Sequence, residues 1–74
     1  MTQKELLYVE DAIGHETSII SIINDSINNL EDDDLVAFLG KEFKKHVKTK
    51  TELMNLLEDK NDWSVNNGKL SFNT

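Results

Sequence analysis

Apolar residues recur at alternating steps of three and four near the start of the chain: Leu6, Val9, Ile13, then Ile20, Ile23, Ile27 and Leu30. The one missing step falls on a carboxylate, Glu16. Spacing of this kind, sustained over nearly four heptads, predicts a long amphipathic helix. Ala12 and Ile19 widen the stripe on one flank. Thr2 and Glu5 form a T-x-x-E capping box just ahead of the pattern. A helix over residues 3–30 would be about 42 Å long at 1.5 Å per residue.

Asn28 and Asn29 are poor helix formers, and the acidic run that follows offers Asp32 or Asp33 as an N-cap. A second stripe then runs Leu35, Leu39, Leu53, Leu56 and fades at 58–62. Its middle positions are polar: Glu42, His46 and Thr49. Phe38, Phe43 and Leu57 broaden it. The predicted architecture is all-α, with helices at about 3–30 and 34–58. A link of two to four residues makes them antiparallel neighbours. Residues 1–60 thus form a helical hairpin, and 61–74 a C-terminal tail. In that tail, Asn67-Gly68 is a type I′ turn signal. A turn there pairs Trp63 with Phe72 and Val65 with Leu70, giving a small β-hairpin whose apolar face docks on the helices or on a protein partner. The alternative is a disordered polar tail.

Two helices alone do not enclose a core. Ile19, Ile22, Phe38, Phe43 and Leu57 would face water in a single hairpin, each forgoing about 1.5–3 kcal/mol of burial. Two hairpins packed as a four-helix bundle would bury them. The expected assembly is therefore a homodimer with a core of Ile13, Ile20, Ile23, Ile27, Leu35, Phe38, Leu39, Leu53 and Leu56.

Composition supports this picture. The chain has 74 residues, enough for one domain, and neither cysteine nor proline. Without disulfides, scaffolds of this size gain stability by oligomerising or by binding a metal. No apolar run is long enough to cross a membrane. The N-terminus lacks the basic-then-apolar form of a secretory signal, so the expected location is cytoplasmic. The net charge is −6, and all eight basic residues are lysine. An acidic chain without arginine is not built to read nucleic acid. Five of the lysines fall between Lys41 and Lys50, and they read as a solvated face rather than an anion site. No nucleophile constellation, phosphate loop or nucleotide fingerprint is present.

In a hairpin turning near residue 32, position n faces roughly position 64 − n. Glu16 then lies opposite residue 48, between His46 and Thr49, so the polar breaks of the two stripes meet. A buried carboxylate needs a partner. Glu16, Glu42 and His46 are thus either a hydrogen-bonded layer that sets register, or metal ligands. Two copies would supply four carboxylates and two imidazoles, the ligand count of carboxylate-bridged di-iron and di-manganese bundles. The candidate metals are iron, manganese and zinc.

The segments "KELLYVEDAIGHE" and "LVAFLGKEFKKHVKTKTELMNLL" resemble the small spore coat protein F-like proteins of spore-forming Firmicutes. The matching residues are Glu5, Leu6, Leu7, Tyr8, Glu10, Asp11 and Glu16, then Glu42 and His46. This resemblance implies a ferritin-like hairpin and a place in the forespore or spore coat. The ferritin-like Glu-x-x-His spacing would put a carboxylate at residue 43, where this chain has Phe43. The functional expectation is a non-enzymatic, dimeric structural module. The alternatives are a metal-binding bundle and a partner-binding protein that uses Trp63, Val65, Leu70 and Phe72.

Overall fold

A computed structural model describes residues 1–61. Two helices account for nearly all of them: α1, Gln3–Asn29, and α2, Asp33–Asn61. There is no strand among the described residues. The tail with its expected hairpin lies outside the described residues.

Each helix begins where its capping chemistry places it. The Thr2 hydroxyl accepts from the Glu5 amide at 3.1 Å, and the Glu5 carboxylate accepts from the Thr2 amide at 2.7 Å. Two of the helix's orphan donors are satisfied reciprocally, as the sequence predicts. At the other end of α1, the Asn29 side-chain amide donates to the Asp25 carbonyl, and the Ser26 hydroxyl to the Ile22 carbonyl. Leu30 then adopts an extended backbone, φ −100° and ψ 146°, and the helix stops. Asp32 opens α2: its carboxylate accepts from the Leu35 amide at 3.0 Å. Asp33 and Asp34 follow in the first turn, where the helix dipole favours negative charge. The second helix continues three residues past the expected end at 58, since no glycine or proline stops it there.

The connection is just Leu30, Glu31 and Asp32, so the helices lie side by side and antiparallel. The molecule measures 52 × 19 × 14 Å. Its radius of gyration is 16.4 Å, against about 11 Å for a compact chain of this length. The described hairpin is two helices wide and one helix deep, a shape that by itself cannot surround a side chain.

Burial follows from that shape. Ile23, at 8% exposure, is the one buried hydrophobic residue among those described, and no side chain is fully enclosed. Of the expected dimer core, Ile13, Ile20, Ile27, Leu39 and Leu53 are half-buried in the seam. Leu35, Phe38 and Leu56 are exposed, as are Leu7, Tyr8, Ile22 and Met54. Ile19, Phe43 and Leu57, expected to face water, are instead half-buried.

Candidate functional site

Glu16 is the central residue of α1, and His46 lies one residue from the centre of α2. The structure brings them together. The His46 Nδ1 stands 2.5 Å from the Glu16 Oε1, in a part-buried setting. A carboxylate is an acceptor, so this nitrogen carries the hydrogen and donates. The contact sets the register: position n of α1 faces position 62 − n of α2, two residues from the expected 64 − n. The reason is the cap. Asp32 belongs to the start of α2 rather than to the middle of the link, so the chain turns about Glu31.

The other imidazole nitrogen faces the third polar residue. His46 Nε2 is 4.0 Å from Glu42 Oε1, one turn back on the same helix. Protonated at both nitrogens, the ring would stand as a cation between two carboxylates. The side chains of Glu16, Glu42 and His46 are 17%, 27% and 28% exposed. The layer is therefore partly shielded, enough for the Glu16–His46 contact to matter and not enough to isolate it from water. Lys45 approaches Glu42 at 3.4 Å but is 73% exposed, so that pair is weak.

This geometry joins the residues to one another rather than to a common point. Glu16 and Glu42 occupy opposite edges of the imidazole. No group of three His, Cys, Asp or Glu side chains among the described residues is arranged to hold a metal ion. Thr49, expected in the seam, is exposed and outside the layer. Lys50 behaves in the opposite way. It sits one turn beyond His46 on the seam side and is half-buried, although the sequence places the lysines on a solvated face. The missed signal is its spacing, four residues from His46 and seven from Phe43.

Two further features lie away from the layer. At the open end of the hairpin, Met1, Glu5, Tyr8, Val9 and Leu56 line a mostly apolar groove of about 460 Å³. Gly14 and Gly40 have no atom within 4 Å of where a Cβ would stand, so neither serves a close approach among the described residues. No described helix is long and apolar enough to cross a membrane. The partner-binding candidates Trp63, Val65, Leu70 and Phe72 lie outside the described residues. No protein-family model, no curated protein and no solved structure matches this chain.

Proposed function

We propose that this protein is a self-associating structural module: two hairpins clasp as a homodimeric four-helix bundle, and the Glu16–His46–Glu42 layer fixes how they align. One observation carries the reading. A hairpin one helix deep leaves Tyr8, Ile22, Leu35, Phe38 and Leu56 between 43% and 64% exposed. Burying such side chains is worth about 1.5–3 kcal/mol each, and the two described helices supply no second layer with which to do it. The polar layer supports a structural role rather than catalysis, because the Glu16 and His46 side chains satisfy one another. A buried polar contact of that kind favours one alignment over others at some cost in stability. The spore coat, implied by the sequence resemblance, is the setting this reading adopts, and a fluorescent fusion followed through sporulation tests it.

Sedimentation equilibrium on the purified full chain tests the assembly. The expected mass at micromolar concentration is twice the chain's 8.5 kDa. A monomer would end the reading. Metal content on the same untreated sample tests the role of the layer. Near-stoichiometric iron, manganese or zinc, lost on His46→Leu, would replace register-setting by ligation across the dimer.

A further inference from the structure

Five of the nine exposed large apolar residues among those described, Tyr8, Ile22, Leu35, Phe38 and Leu56, fall together, while Val47 and Met54 point to the other side of α2. Phe38 and Leu56 are five full helical turns apart and point the same way. Leu35 and Leu56 are three heptads apart, and Tyr8 and Ile22 two. Tyr8 and Leu56 line the same groove. All five therefore share one broad face of the hairpin.

Along this face the pattern reads nearly the same in both directions. On α1 it is Tyr8, His15, Ile22, centred on residue 15. On α2 it is Leu35, Glu42, Thr49, Leu56, centred between residues 45 and 46. Both centres lie within about 2 Å of the Glu16–His46 contact at 1.5 Å per residue. An apolar patch stands at each end, and polar groups occupy the middle.

We propose that this face docks on the same face of a second copy, antiparallel, about a two-fold axis crossing the helices at the level of Glu16 and His46. The inference rests on the self-association described above and adds its geometry. Tyr8 lies about 12 Å above that level, and the partner's Ile22 arrives about 9 Å above it after the two-fold rotation. Leu56, about 15 Å above, meets Leu35 and Phe38 of the partner subunit. The open-end groove of about 460 Å³ is filled by these side chains. Near the axis, Thr49 comes level with the partner's Glu42, a hydroxyl facing a carboxylate.

The acidic tip weighs against a parallel orientation, although Lys45, on the same face as Phe38 and Leu56, comes level with its own copy near the axis. Residues 19–40 hold Asp25, Glu31, Asp32, Asp33 and Asp34 and not one lysine. A parallel dimer would set two such tips about 10 Å apart, near one Debye length at physiological salt. The antiparallel dimer separates them by about 45 Å. Area is sufficient as well: a face of 52 × 19 Å offers roughly 1,000 Å², against the about 800 Å² that a standard interface takes from each partner.

Site-directed spin labelling tests the orientation, since the chain has no native cysteine. Glu31→Cys places one label at the exposed turn of each full-length chain. Pulsed dipolar spectroscopy should give a distance near 45 Å, and Gln3→Cys, at the other end, one near 40 Å. Distances below about 25 Å at both sites would put like ends together and overturn the antiparallel geometry while leaving self-association intact. Absence of dipolar coupling with a monomer mass would overturn both, and would mean that residues 62–74 or a different protein cover the face.

Discussion

The middle of the hairpin and its two ends are built on opposite terms. In the middle, Glu16, His46 and Glu42 find partners within the chain, at 2.5 and 4.0 Å. Toward the ends, Tyr8, Ile22, Phe38 and Leu56 stay exposed among the described residues. A polar contact is directional and needs few atoms, so one helix pair can complete it. Apolar burial needs surroundings on several sides, and a layer one helix deep cannot supply them. The middle thus aligns the helices, and the ends supply the drive to assemble.

Removing an end residue is the severest test of that contrast. Phe38→Ala in a symmetric dimer deletes two buried rings, about 3–6 kcal/mol in all, and should raise the dimer Kd by at least about 100-fold. Helicity measured against concentration should fall with it. A dimer of unchanged affinity would mean that the end patches do not drive assembly.

A change in the middle should be smaller. His46→Ala leaves Glu16 half-buried without its donor and should cost about 1–3 kcal/mol in denaturant unfolding. The double change Glu16→Leu with His46→Leu removes both polar groups, and stability should recover or exceed that of the original. Its effect should appear elsewhere, as a broadened distance distribution from the Glu31→Cys labels, because the polar contact at the level of the two-fold axis is gone.

The outer side of α1 gives a third comparison. Gly14 is exposed, and a methyl group there would meet open space. Gly14→Ala should therefore raise stability by about 1 kcal/mol, seen as a higher Tm. Destabilisation would show that a subunit covers that side as well. Least of all, Glu42→Ala should cost about 0.2–1 kcal/mol, given its 4.0 Å separation from His46 and its exposed lysine partner.

Much of this structure was readable in the sequence, for local reasons. The capping box at Thr2 and Glu5 and the cap at Asp32 act over three residues, so their spacing is sufficient to recognise them. The heptads of α1 and α2 are equally local. The meeting of Glu16 and His46 was also legible, because a three-residue link leaves little freedom in register. The two-residue error in that register arose because Asp32 could be assigned either to the link or to the cap. The half-burial of Lys50 was missed because a lysine's long stem lets it lie along a seam while its charge reaches water. Metal ligation was not decidable from spacing, since a histidine between two carboxylates has the same residue list as a ligand set. Which edge of the imidazole each carboxylate approaches is a three-dimensional property that spacing does not carry.

A fold only one helix deep has a consequence for turnover. With Ile23 as the one buried hydrophobic residue among those described, a solitary hairpin has little to resist local opening. Its resistance to proteolysis should then depend on how many copies surround it, since association stabilises by mass action. A digestion half-life that lengthens as the chain is concentrated would be the signature of a protein that persists where it accumulates and is degraded where it is dilute.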